Sequence, residues 1–405
     1  MPSPPRQLDA DLIIAGAGAA GLSALWYALH GAGKDRRIIL VDRDFEPSDD
    51  RTWAFWGTAA SPFAHLADAR WGRLRVKFPG WETTGALGRP SGRSSNGRRT
   101  YMRVRRQRFD QEVLDLAASQ PNVRFVAQDI IDVRDEPGGG TIALPEGELR
   151  APTVLQSVRL SPSSAKAEVR HRLRQHFGGW EVRTENPVFT PQVATFMDFD
   201  TDQHGGAAFF YVLPEARDRA LVEHTVFSLQ PHEKEFYDRH IAERLAAMGA
   251  GDVEVVRSEY GVIPMEDRQL DQRWGDHVWN IGTVGGRTKP TSGYTFQRIH
   301  AQTRHVVASW ASGAPSPLGP SPWRYGFADR TLLNILHRRP ELGRPIFERL
   351  FRTAPINDVL TFLDEDTRLG DDLRLIAGLP RLPFLRAGAV ELAAEGSARL
   401  RKRVR

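Results

Sequence analysis

Four features of this chain combine residue types and spacings that can do chemistry. The first is Gly16-Ala17-Gly18-Ala19-Ala20-Gly21. Here Gly16 permits a tight turn, Gly18 lets backbone approach a pyrophosphate, and Gly21 lets helix pack on strand. The second is Asp42, about 20 residues on, at the end of the apolar run Ile38 to Val41, where a carboxylate can accept from ribose hydroxyls. The third is a later glycine-rich stretch, Gly282 to Gly293, with Gly285 and Gly286 inside it. The fourth is Glu223, a carboxyl within the apolar stretch Leu221 to Phe227. Period-2 counting puts it on one face with Leu221 and Thr225. Buried among apolar groups, such a carboxyl has its pKa raised and can act as a general acid. The alternative is an ion pair with an arginine at a sheet edge.

The elements that must position these groups follow from hydrophobic periodicity. Leu12, Ile13 and Ile14 suit a strand buried on both faces, and Leu22, Leu25, Trp26 and Leu29 make one apolar helical stripe. The N-terminus of that helix faces a phosphate site with free N–H groups and a positive dipole end. Val123 to Val126, Thr141 to Leu144 and Thr153 to Leu155 read as further strands, and His277 to Ile281 as a late strand feeding the second glycine loop. In two-domain flavoproteins such a late return closes over the ribityl and pyrophosphate part of FAD.

Between these segments the texture changes. Thr195 to Phe199, Ala207 to Leu213 and Ala220 to Phe227 fit strands, the last two forming an antiparallel hairpin across the polar Pro214 to Arg219. Gly85 to Arg99 reads as a surface loop. Arg103, Arg105, Arg106 and Arg108 lead into an amphipathic helix around Phe109, Val113 and Leu116, and read most simply as a solvated face. Arg51, Thr52 and Trp53 open an aromatic cluster with Phe55 and Trp56, readable as a core edge or as a cavity wall. From Ser321 the pattern is helical: Thr331 to Leu336, Ile346 to Phe351, Val359 to Leu363 and a long final helix, Leu373 to Leu392. Apolar doublets make these faces broad; the reading is burial against the body, with partial insertion into lipid as the alternative.

The predicted architecture is α/β: a Rossmann-type FAD-binding domain (10–160 and 270–315), an inserted antiparallel β-sheet substrate domain (165–268, with 72–98 a possible part) and a C-terminal helical region (320–395). At 405 residues the chain exceeds what one core usually supports. Cysteine is absent, which removes thiolate chemistry and Cys-based metal sites. No G-x-S-x-G or H-E-x-x-H occurs, and the histidines form no i, i+4 pair. No metal is expected. The formal charge of +5 is matched by the basic residues of the tail, Arg399 to Arg405. With no nucleic-acid module in the sequence, that tail reads as a solvated end or a contact with anionic lipid. No apolar run is long enough to span a bilayer and the N-terminus lacks a signal-peptide core. The expected location is cytoplasmic, peripheral to the inner face of the membrane.

Several motifs together resemble a family. GAGAAGLS with VDRD, then DDRTWAFW, HFGGWEV, FFYVLP, LVEHT, EYGVIPM, IGTVGGRTKPTSGYTFQ and FLDEDT are similar to the FAD-dependent lycopene β-cyclases, especially the bacterial branch. The resemblance implies a redox-neutral reaction. An acid protonates the terminal double bond of an acyclic ψ-end group of lycopene or a related carotenoid, the neighbouring double bond attacks the cation, and loss of a proton leaves a β-ionone ring. It implies FAD in its reduced form, kept reduced by NAD(P)H, and Glu223 as the catalytic acid; Asp198 and Glu259, each in a strand-like context, are the reserve candidates. It implies that Gly16, Gly18, Gly21 and Asp42 hold the ADP part of the cofactor, with Ala19 and Ala20 in the same turn. Gly285, Gly286 and Gly293 fall to its ribityl–flavin side, with Gly282, Tyr294, Arg51, Thr52 and Trp53 completing the cofactor set. The chain departs from the family pattern at Ala54, Gln156 and His224. At His224 relatives carry an acid or Tyr, so a second carboxylate beside Glu223 is not expected. The alternative reading is a flavin-dependent hydroxylase or isoprenoid reductase acting on a lipophilic substrate.

Overall fold

The computed structural model describes residues 8–89 and 97–403, with the side chains of 397–403 left aside. Part of the Gly85 to Arg99 stretch, and all the side chains of the basic tail Arg399 to Arg405, therefore lie outside the described residues. The fold is α/β, with one parallel sheet, antiparallel sheets and a C-terminal helical region.

The parallel sheet has the order Val278–Asn280, Val154–Gln156, Leu12–Ala15, Ile38–Asp42, Val123–Ala127. Its central strands are apolar on both faces because helices cover one and the three-stranded antiparallel sheet of Asp132–Glu136, Gly139–Leu144 and Gly147–Ala151 covers the other. Ala19–His30 and Phe296–Ala311 pack together on one face, their apolar stripes meeting Trp279 and Leu155. The N- and C-terminal parts of the chain thus build one sheet, as the late apolar strand required.

A seven-stranded sheet carries the rest. Its order is Val253–Glu266, Arg172–Thr184, Arg219–Ser228, Ala207–Pro214, Val193–Asp198, Arg73–Phe78, Trp81–Ala86. All neighbours are antiparallel except Val193–Asp198 with Arg73–Phe78. The Arg172–Thr184 strand lies second from the edge, between Val253–Glu266 and Arg219–Ser228, although Gly178-Gly179 breaks its sequence pattern. A Cβ on Gly178 would lie 2.5 Å from Cβ of Tyr237, so this glycine lets helix Lys234–Ala247 settle on the strand.

Three expectations need correction. Thr100–Arg105 is a strand between Thr52–Gly57 and Ala69–Trp71, and Arg103 is 1% exposed, not solvated. Its guanidinium meets Asp68 at 2.9 Å and also pairs with Glu215, spanning the small sheet and the large one. The long final helix is two, Leu369–Ala377 and Arg381–Arg403, divided at Gly378-Leu379-Pro380. The proline lacks an N–H to continue the first helix, and a Cβ on Gly378 would sit 2.2 Å from Thr353 Oγ1. Finally, the broad apolar faces divide in their fate. Leu333, Leu336, Phe347, Phe351, Val359 and Leu360 pack into the main core, whereas Leu369, Leu373, Ile376, Leu382 and Leu385 are exposed.

Removing one partner of a buried ion network leaves the others uncompensated. Arg103→Met should therefore lower unfolding stability by about 3 kcal/mol, read from urea unfolding; a loss below about 1 kcal/mol would contradict this account of Arg103.

Candidate active site

A cavity of about 1200 Å³ lies where the parallel sheet, the large sheet and the C-terminal helices meet. At one end it is floored by the first glycine turn. Gly16 takes φ +100°, and a Cβ there would meet Ser157 Oγ at 2.5 Å. A Cβ on Gly21 would fall 1.7 Å from the carbonyl oxygen of Gly16, so strand and helix close on each other only with glycine there. Gly18 faces open space instead. It caps helix Ala19–His30 with no side-chain bond, and Gly18, Ala19 and Ala20 line the cavity. Free N–H groups, no Cβ and open room together fit a pyrophosphate. Asp42 Oδ2 accepts from Ala17 N–H at 2.5 Å and Oδ1 from Arg43 N–H at 2.7 Å. The carboxylate thus braces the turn besides offering its remaining lone pairs.

The second glycine loop lies beside the first. A Cβ on Gly282 would lie 2.6 Å from Cβ of Ala20, and one on Gly285 2.4 Å from the carbonyl oxygen of Asn280. Both are close-packing positions. Gly286 and Gly293 take left-handed φ of +76° and +67°; Gly293 and Tyr294 reach the cavity, where Gly293 abuts Gln175 of the large sheet. Arg51, Thr52 and Trp53 also line it. Both readings of that aromatic cluster hold in part, since Trp53 stacks on Phe296 at 4.9 Å while Phe55 and Trp56 are nearly buried. Arg51 turns to Asp50 at 2.8 Å. Gln156 is fully buried and accounts for its own place: Oε1 accepts from Val158 and Arg159 N–H, and Nε2 donates to the Arg159 carbonyl, closing the turn after its strand.

Glu223 points from the Arg219–Ser228 strand into the same cavity, on the face shared with Leu221. Oε1 accepts from Thr225 Oγ1 at 2.6 Å. Around it stand Tyr101, its cross-strand partner Tyr211, and Tyr294, whose hydroxyl is 3.2 Å from that of Tyr211. Burial, reinforced by the nearby Glu259 carboxylate and opposed by the Thr225 bond, pushes Glu223 up to about 8. Three other cavity carboxyls have cations. Glu259 bonds Arg257 at 2.9 Å, Asp364 meets Arg99 at 2.6 Å, and Glu365 lies 3.1 Å from Lys289 and 3.0 Å from Arg298. Glu223 is held by a hydroxyl instead.

The reserve candidates separate. Asp198 pairs with Arg244 at 3.3 Å and is not among the cavity-lining residues, whereas Glu259 lines the cavity. His224 faces the opposite side of the sheet, stacked on Phe210 at 4.5 Å. The expectation that a second carboxylate is missing is therefore corrected: Glu259 supplies it from the Val253–Glu266 strand, on the far side of Arg172–Thr184, not from the next residue. Sequence reasoning gave no role to Tyr101, Tyr211 or Asp364. Only the FFYVLP and FLDEDT motifs marked the last two, and nothing in the sequence marked Tyr101.

Comparison with known proteins agrees with this arrangement. The model of the family described as "Lycopene cyclase protein" matches residues 11–389. The lycopene beta-cyclase of Paracoccus sp. (strain N81106 / MBIC 01143) is 27% identical, covering 92% of this chain and 95% of the relative. That of Pantoea ananas is 26% identical, over 93% and 96%. Among solved structures, a geranylgeranyl bacteriochlorophyll reductase-like protein from Thermoplasma acidophilum superposes with a TM-score of 0.59 at 14% identity, covering 93% of this chain and 98% of that one. Halogenase PltM in complex with phloroglucinol and FAD gives 0.55 at 14% identity, over 96% and 92%. The structural likenesses establish a shared fold, and the sequence match establishes more: the chain belongs to the lycopene cyclase family.

Proposed function

We propose that this protein is a lycopene β-cyclase, converting the ψ-end groups of lycopene or a related acyclic carotenoid to β-ionone rings without net redox change. The observation that carries the reading is Glu223, a carboxyl with no cation of its own among the described residues, in a large cavity walled by aromatic rings. A hydrocarbon double bond is a very weak base. Its proton donor must be neutral at working pH, dry and fixed, and Glu223 meets those conditions below about pH 8. Thr225 orients the carboxyl by its 2.6 Å bond. The rings of Tyr211, Tyr294 and Trp56 offer π-faces to a carbocation. As Glu223 must be protonated to act, activity should be full below about pH 8 and fall above it.

The glycine turn and the open N-terminus of helix Ala19–His30 fit the pyrophosphate of FAD, and the second loop borders the route from there to Glu223. Reduced flavin, when bound, would supply fixed negative charge near the developing cation. NAD(P)H is proposed as the reductant that keeps it reduced. An oxidoreductase on this fold would instead consume one reductant per turnover.

We also propose peripheral membrane binding. Among the described residues no helix is long and apolar enough to cross a bilayer. Leu369, Leu373 and Ile376 form one exposed helical row, continued by Leu382 and Leu385, the last 70% exposed, with Arg381 and Arg386 exposed beside them. Apolar side chains next to arginines suit an anionic interface.

Anaerobic incubation with lycopene, FAD and NADPH should yield cyclised pigment with far less than one NADPH spent per ring, and Glu223→Gln should fold and bind FAD while cyclisation drops by a factor of at least ~10². One NADPH per ring, or near wild-type cyclisation by the variant, would overturn the reading. In vesicle flotation, Leu382→Glu/Leu385→Glu should lose most binding to anionic vesicles; unchanged binding would remove this face from the proposal.

A further inference from the structure

Gly179 is the cross-strand partner of Glu223 on one side and of Glu259 on the other. The two carboxyls therefore project from strands two spacings apart, with only a glycine between. A Cβ on Gly179 would come within 3.1 Å of Glu259 Cγ and 3.4 Å of its Oε1. Glu259 thus leans over the glycine, toward the side on which Glu223 lies. Two anions in so dry a place repel strongly, and the pair holds one proton more readily than none.

Hydrogen bonding decides which member keeps that proton. Glu259 Oε2 accepts from Arg257 Nη1 at 2.9 Å and from Thr52 Oγ1 at 2.9 Å. Arg257 also donates to Thr52 Oγ1 at 2.7 Å, to the Asp49 carbonyl at 3.0 Å and to Glu181 at 3.2 Å, which fixes its guanidinium in place. Burial pushes Glu259 upward as it does Glu223, but on Glu259 two donors, one of them cationic, oppose the shift and support the anion, whereas Glu223 receives one hydroxyl. The other titratable groups around Glu223 are Tyr101, Tyr211 and Tyr294, all neutral because burial raises them. Behind Glu259 stand Arg103, Arg105 and Glu181, with Arg105 paired to Glu181. Positive charge is thus concentrated on the Glu259 side.

We infer that Glu259 is a positioning residue for the proton: anchored as the anion by Arg257 and Thr52, it keeps the single proton of the pair on Glu223. The inference deepens the proposed function by adding the group that holds its acid in the donating form.

Infrared titration of the full-length protein reconstituted with FAD tests it. The band lost on Glu223→Gln identifies the protonated Glu223 carboxyl. Its midpoint, expected near 8 in the wild type, should fall by about one pH unit or more in Glu259→Gln, and stay within about half a unit in Glu259→Asp, which keeps the charge. The alkaline limb of cyclisation should move by the same amount. A uniform loss at every pH with an unmoved midpoint would show a merely structural role and overturn the inference. Should Glu259→Gln not fold, Glu223→Gln reports on the same pair: a buried acid band persisting at about pH 7 would place the proton on Glu259 and overturn it equally. The titration reads the carboxyls whatever reaction the cavity supports, so a failure to cyclise lycopene would sink the functional proposal and leave this one standing.

Discussion

The constraint on which the rest of the site depends is the cost of charge on Glu223. An ionised carboxylate in a cavity walled by Tyr101, Tyr211, Tyr294 and Leu221 has lost its water and gained one hydroxyl in return. The balance favours the neutral acid, and the Glu259 anion tips it further. Each surrounding element serves that condition. The large sheet brings two carboxyls to either side of Gly179, the small sheet contributes Thr52 and Tyr101, and the second glycine loop brings in Tyr294. Arg257 sits one neighbour back, where it supports Glu259 without donating to Glu223.

The fold itself is shared with flavoproteins of differing chemistries, as the superpositions at 14% identity make plain. Fold does not carry function; the side chains projecting into the cavity do. In this chain they include an acid without a cation and aromatic rings, and the cavity is large enough for a cofactor and part of a long hydrocarbon.

Much of this was legible in the sequence because it rests on local rules. The strand, glycine turn and helix from Leu12 to His30 obey period and turn chemistry, and the alternation from Leu221 to Phe227 put Glu223 on the right face. What escaped depended on contacts between distant segments. Arg103 looked like a surface charge because its partners, Asp68 and Glu215, are 35 and 112 residues away. Glu259 was only a reserve acid, since its relation to Glu223 runs through a third strand whose Gly178-Gly179 pair reads as a break. Apolar spacing persists through Leu379 and predicts one final helix, whereas Pro380 divides it into two.

The most direct test of the central claim is to run the reaction in heavy water and measure deuterium in the cyclised pigment by mass spectrometry. Transfer of the exchangeable proton of Glu223 to carbon predicts one deuteron per ring, at the carbon protonated to start cyclisation. Rings formed without solvent deuterium, or carrying hydrogen delivered from labelled NADPH, would contradict proton donation by the Glu223 carboxyl and return the site to redox chemistry.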